Sequence, residues 1–172
     1  MEFFDVIKHR YSYRGDFTSK QLSEEDINKI LKAAIAAPIS MNIQTTSYVA
    51  ITDKHIISKL GDIIKGNGIA TAPFVIVLLS ENLSGFSSMN FEVENYSAAC
   101  ANILLSVTAL GYSSVWTDGI LRAKEINDAV RHLLKIPKNK TIRAVLPIGE
   151  AKDPHRGEDK DTIDDLVVFN HY

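Results

Sequence analysis

Between Phe91 and Leu110 the chain carries a predicted helix whose middle, Ala98-Ala99-Cys100-Ala101-Asn102-Ile103-Leu104-Leu105, is apolar almost all round. A helix without a polar face must be wrapped by other structure, either a central core or a subunit interface. Its small residues let a neighbouring backbone come close, and Gly111 is placed to close it as the residue just past the C-cap. A second segment imposes the same demand. After Pro73 the run Phe74-Val75-Ile76-Val77-Leu78-Leu79 shows no polar alternation, the pattern of a strand buried on both faces.

The other elements are written in shorter signals. Phe3, Phe4 and Ile7 recur at helical spacing and open the chain with a short amphipathic helix. Ser23-Glu24-Glu25-Asp26 resembles a capping box, Ile27 to Ile35 line one helical face behind it, and Pro38 stops that helix. Tyr48–Ile51 reads as a strand, and Asp53 caps a helix predicted to run through Leu60, with Gly61, Gly66 and Gly68 punctuating the loop beyond. A strand over Tyr112–Thr117, a helix over Arg122–Leu134 and a strand over Thr141–Ile148 follow. Helices and strands are mixed with short connections, so the class is α/β or α+β, and 172 residues suit one domain over 1–172.

Charge and cysteine usage exclude several roles. Nineteen basic against 21 acidic residues give no global field toward nucleic acid or membrane. The basic stretch Lys135, Lys138, Lys140 and Arg143 lacks interleaved aromatic residues, so no nucleic-acid partner is expected. Cys100 stands alone and the five histidines show no ligand spacing, so no metal site is expected. The first ten residues form no signal peptide and no run approaches a bilayer span, which sets the expectation of a cytoplasmic protein. Gly66-Asn67-Gly68 lacks the third glycine of a dinucleotide loop, and no serine sits in a nucleophile elbow.

Three polar clusters carry chemistry. Arg10, Ser12 and Arg14 alternate with Tyr11 and Tyr13, so in an extended segment two guanidiniums and a hydroxyl share one side, a match for a phosphate or a solvated loop. Ser40, Asn42 and Gln44 repeat the alternation with uncharged donors and acceptors, suited to the edge of a polar heterocycle or to a plain helix exit. Leu146-Pro147-Ile148-Gly149-Glu150 ends a strand at a glycine, where a ligand or another backbone can approach.

Taken in order, these segments resemble the flavin-dependent nitroreductase family. Arg10-Tyr11-Ser12-Tyr13-Arg14-Gly15-Asp16-Phe17 is similar to its opening motif, and Ala37-Pro38-Ile39-Ser40-Met41-Asn42-Ile43-Gln44 to its second. Ala72–Val77, the central helix with Leu110–Trp116, and Leu146–Glu150 resemble three later ones. The resemblance spans residues 3 to about 160. It implies an α+β three-layer sandwich, with a mixed or antiparallel central sheet flanked by helices, forming an intertwined homodimer. FMN would lie at the interface, with NADH or NADPH as donor and a nitroaromatic or quinone as acceptor in a ping-pong cycle. Arg10, Tyr11, Ser12 and Arg14 would hold its phosphate and ribityl chain, and Arg156, or failing it Lys160, would add a cation. Pro38, Ile39, Ser40 and Asn42 of the other chain would meet the ring, and Pro147, Ile148, Gly149 and Glu150 would pass near its N5. No side chain is assigned as acid or base.

The chain departs from the family at Tyr11, at Ile39 followed by Ser40, at Thr45-Thr46 and at Asn95. A short Glu81–Asn90 loop in place of a lid leaves the expected pocket open, with Phe86, Met89 and Phe91 as candidate lining. The alternatives are other flavin chemistry on this fold, such as dehalogenation, and a non-enzymatic FMN-binding or storage protein.

Overall fold

The computed structural model describes residues 1–83, 89–155, 157–158 and 160–171. At its centre is β2 (Phe74–Ser80), every residue of which is buried. β2 pairs antiparallel with β1 (Thr46–Ile51) on one side and with β4 (Thr141–Gly149) on the other. The short β3 (Ser113–Ser114) completes the order β1-β2-β4-β3. Ser12 forms a parallel bridge to Ser114, so the N-terminal segment extends this edge and makes the sheet mixed there.

Side-chain alternation divides β2 between two cores. Val75, Val77 and Leu79 face a layer of α3 (Lys54–Ile64) and α5 (Lys124–Leu134), with Tyr13 and Phe17. Phe74, Ile76 and Leu78 face α2 (Glu24–Ile35) and α4 (Glu92–Ala109). Helices on both faces of the sheet give the three-layer α+β sandwich the sequence implies.

The local signals act as read. Ser23 accepts from the Asp26 amide at 3.1 Å, and Asp53 accepts from His55 and Ile56. Gly111, at φ 80°, closes α4 in a Schellman turn, with Tyr112 N–H donating to Val107 O at 3.0 Å. Two boundaries differ. Gly61 lies inside α3, which runs on to Ile64, because its missing side chain admits Ala70 of the turn Ile69–Thr71. The expected strand 112–117 is paired only at Ser113–Ser114 and at Thr117, which bridges Val145 in the same register.

α4 resolves the question its composition raises only halfway. Ala99, Cys100, Ile103, Leu104 and Val107 enter the core, whereas Val93 and Ala101 are exposed. Both chain ends also present apolar residues outward, Phe3 and Phe4 of α1 (Phe3–His9) and Ile163 and Leu166 of α6 (Ile163–Leu166), followed by Phe169. Among the described residues no helix is long and apolar enough to cross a membrane.

Gly61→Ala tests the α3 contact. Alanine would gain about 1 kcal/mol of helix propensity, but its Cβ would lie 2.6 Å from Ala70 Cβ and 2.7 Å from its Cα. Neither atom can swing away, so overpacking of about 1–3 kcal/mol wins, and calorimetry should show a lower Tm.

Candidate functional site

Arg10 leaves α1 in extended conformation, and the stretch beyond it lies beside β3, with Tyr13 N–H donating to Ser114 O at 3.0 Å. Alternation then turns Tyr13 into the core while Arg10, Ser12 and Arg14 take the other side. Arg14 Nη1 donates to Ser12 O at 3.3 Å. Among the described residues neither Arg10 nor Arg14 has a carboxylate partner. Ser114 Oγ, next to Ser12, is buried and unpartnered among them as well. Two uncompensated guanidiniums beside hydroxyls fit an oxyanion of the kind FMN carries.

The C-terminal tail is laid across this strand. Tyr13 Oη accepts from the Lys152 and Asp153 amides at 3.1 and 3.4 Å and donates to Asp16 O. His155 packs edge-on against Tyr11 with ring centroids 5.0 Å apart, and a Cβ on Gly157 would lie 2.7 Å from Tyr11 Cβ. Tyr11 is thus a floor for the tail. Arg156, the expected cation, lies outside the described residues, and Lys160 is exposed.

Pro147–Glu150 forms the end of β4 and the residue after it. Pro147, Ile148 and Gly149 are buried, and Ile148 belongs to the α2/α4 core. A Cβ at Gly149 would meet Pro73 Cδ at 2.7 Å and Phe17 Cδ1 at 2.9 Å, so its side-chain direction is filled by this chain's own residues. Glu150 is held by Lys20 at 2.7 Å and Thr18 at 3.0 Å, and these bonds keep its carboxyl below its ordinary value. The segment backs Phe17 and Thr18, just beyond the Arg10–Arg14 strand.

The second cluster is not extended. Ser40–Asn42 forms a 3₁₀ turn in which Met41 and Asn42 are left-handed, at φ 52° and 55°. Asn42 and Gln44 still meet, Gln44 Nε2 donating to Asn42 Oδ1 at 2.9 Å. Pro38 is exposed and Ile39 half-buried. Behind the turn stands Asn95 of α4, whose carboxamide bonds three points of the loop. Sequence reading noted Asn95 only as a departure, since a buried amide has no local signature. Of the expected lining, Phe86 lies outside the described residues, Met89 is exposed and Phe91 half-buried at the start of α4.

Another stretch that sequence reading set aside does reach the first cluster. Gly68, at φ 63°, sits so close to Gly15 O that a Cβ would lie 2.1 Å from it, and neighbouring Asn67 donates to Thr117 Oγ1 at 2.9 Å. Only the meeting of α3's exit loop with the Arg14–Phe17 turn in three dimensions makes this visible. Cys100 is excluded as a nucleophile, because burial pushes its thiol pKa up.

Within one chain the two polar clusters do not converge. The Ser40 turn is tied to Asn95 in the first turns of α4, while β3, whose Ser114 bridges Ser12, follows its last turn. From Asn95 to Ala109 the helix rises about 21 Å. The clusters also lie toward opposite edges of the sheet, one leading into β1 and the other beside β3. That separation is beyond one mononucleotide's polar contacts.

The chain belongs to the nitroreductase family, whose model matches residues 7–70 and 64–150. It is 34% identical over 138 residues to an Archaeoglobus fulgidus protein provisionally named NADH dehydrogenase/NAD(P)H nitroreductase, covering 80% of this chain and 79% of that one. The fold is shared with an FMN-dependent nitroreductase from Clostridium difficile, at 24% identity and TM-score 0.84, over 98% of this chain and 99% of that one. An NADPH:FMN oxidoreductase from Vibrio harveyi, solved with NAD+, superposes at TM-score 0.83 and 18% identity, over 99% and 77%.

Tyr13→Phe should release the tail. Two amides lose an acceptor, at a cost of about 1–2 kcal/mol, so Tm should fall by roughly 2–8 °C and trypsin should cut faster at Lys152.

Proposed function

We propose that this chain is an FMN-dependent oxidoreductase that takes hydride from NADH or NADPH and reduces nitroaromatic or quinone-type acceptors in a ping-pong cycle. Its family membership and the 34% identical relative named for NAD(P)H nitroreductase activity support the class. The observation that carries the reading is the pair of arginines, without carboxylate partners among the described residues, on the extended strand beside Ser12 and Ser114.

Bound FMN supplies the hydride relay between donor and acceptor. Arg10 and Arg14 bind its phosphate through charge-assisted hydrogen bonds, with Ser12 as a further donor. The tail is fastened over Tyr11 and Tyr13, and Arg156 or Lys160 would add a cation to the same anion. Ser40 and Asn42 offer the ring edge neutral hydrogen-bonding groups, and no side chain is assigned as acid or base.

The active unit is a homodimer, with one FMN-binding domain spanning 1–172 in each copy. Three observations support this. The two clusters stand at opposite ends of α4, α4 keeps an uncovered face at Val93 and Ala101, and both chain ends present unpartnered apolar residues. A two-fold axis across α4 brings each copy's Ser40 turn against the other's Arg10–Arg14 strand. The lone buried Cys100 suits a reducing cytoplasm.

Anaerobic absorbance decides between the readings. The purified protein should show a flavin band that NADH or NADPH bleaches and a quinone or nitroaromatic restores. A band that neither nucleotide bleaches would point instead to storage or to another reductant. Replacing Arg10 and Arg14 together by alanine should weaken FMN retention by about a hundredfold or more, with the fold intact by circular dichroism, and unchanged occupancy would refute the cradle.

A further inference from the structure

We infer that Asn95 is the positioning residue of the ring-side turn: its carboxamide fixes the loop from Ile39 to Thr45 in the one shape that presents Ser40 and Asn42 outward. The inference rests on the reading that this turn meets the flavin. The side chain is buried, and it makes three hydrogen bonds to one loop. Oδ1 accepts from the Ser40 amide at 2.9 Å, while Nδ2 donates to Ile43 O at 3.3 Å and to Thr45 Oγ1 at 2.9 Å. The amide cannot be flipped, since that would set Nδ2 against the Ser40 N–H and Oδ1 against the Ile43 carbonyl.

The loop needs such a clamp. Met41 and Asn42 are consecutive left-handed residues with side chains, a conformation disfavoured by about 1–2 kcal/mol at a non-glycine residue. Few other bonds support it from within: Asn42 N–H to Ile39 O at 3.3 Å, Ile43 N–H to Ser40 O at 3.1 Å, and Thr45 N–H to Ile43 O at 2.8 Å. Asn95 spans them, reaching Ser40 on one side of the left-handed pair and Ile43 and Thr45 on the other. Thr45, itself buried, is fixed in turn to the sheet through Glu81 N–H to Thr45 O at 2.9 Å.

α4 is anchored where it holds the clamp. β4 carries an irregularity here: Leu78 pairs with Ala144 and Leu79 with Ile142, leaving Arg143 as the extra residue. Arg143 bonds Glu92 at 2.5 Å and Ser80 at 2.7 Å, lies over the Tyr96 ring at 5.5 Å, and Ser80 donates to Glu92 at 2.8 Å. The helix turn bearing Asn95 is thereby pinned to the end of β2 and β4.

Aspartate at this position separates clamping from bulk. Its ionised carboxylate accepts from Ser40 but has no hydrogen for Ile43 O, whereas the neutral acid has one. Burial raises that carboxyl's pKa. The charged groups on the packed elements are already paired, Glu92 with Arg143 and Glu81 with Lys140; Glu94 is exposed, and β1 contributes the phenol of Tyr48.

FMN dissociation constants are measured for the wild type, Asn95→Asp and Asn95→Ala at pH 8 and pH 5.5, with Ser40 amide exchange in the FMN-free proteins. The variant-to-wild-type ratio cancels titration of the FMN phosphate. For Asn95→Asp it should be about tenfold at pH 8 and fall toward one at pH 5.5. Asn95→Ala should weaken binding at both pH values and speed Ser40 exchange. An Asn95→Asp ratio of one throughout, or equal weakening at both pH values, overturns the inference. Failure of the wild type itself to bind FMN overturns the functional reading instead, and Ser40 exchange then still shows whether Asn95 holds the loop.

Discussion

Everything in this fold is organised around the burial of β2 on both faces. Six consecutive large apolar side chains leave water together, at about 1.5–3 kcal/mol each. Because successive side chains point to opposite sides, that burial requires a helical layer above and another below. β1 and β4 satisfy its backbone on either hand, and the sites are whatever those strands and their loops carry at the corners of the sheet.

The two corners are built by different means. At one, the Arg10–Arg14 strand is fixed by backbone pairing to β3, by Tyr13 and Phe17 in the core, and by Gly149 beneath Phe17. Sheet pairing sets its direction, so the charges need no side-chain partners of their own. At the other, the Ser40 turn has no strand to follow, and side-chain bonds from α4 replace the missing ladder. The first corner is therefore rigid through its main chain. The second combines its own short turn bonds with one carboxamide from α4.

Much of this was legible in the sequence, for reasons that differ by segment. The unbroken run at Phe74–Leu79 and the caps at Ser23, Asp53 and Gly111 act locally, so spacing sufficed. The alternation of Arg10, Ser12 and Arg14 was readable because an extended backbone preserves period two. The same reasoning failed at Ser40–Gln44, where Met41 and Asn42 turn left-handed and break the period. Glycines were the least readable. Gly61 and Gly149 look like punctuation, yet each is set by a distant neighbour, Ala70 in one case, Phe17 and Pro73 in the other. The role of Asn95 escaped notice for a related reason: its three partners come from a loop some fifty residues upstream.

The placement of the two polar corners at opposite ends of α4 has a genetic meaning. In the proposed homodimer the pocket is assembled from one corner of each copy and belongs to neither polypeptide. Two different damaged forms of the chain, one broken at its arginine strand and the other at its Ser40 turn, would then rescue each other when produced in the same cell. Their mixed dimer would place both lesions in one pocket and leave the second wholly native. Mutations at the two ends of α4 would then sort into two complementation groups within a single gene.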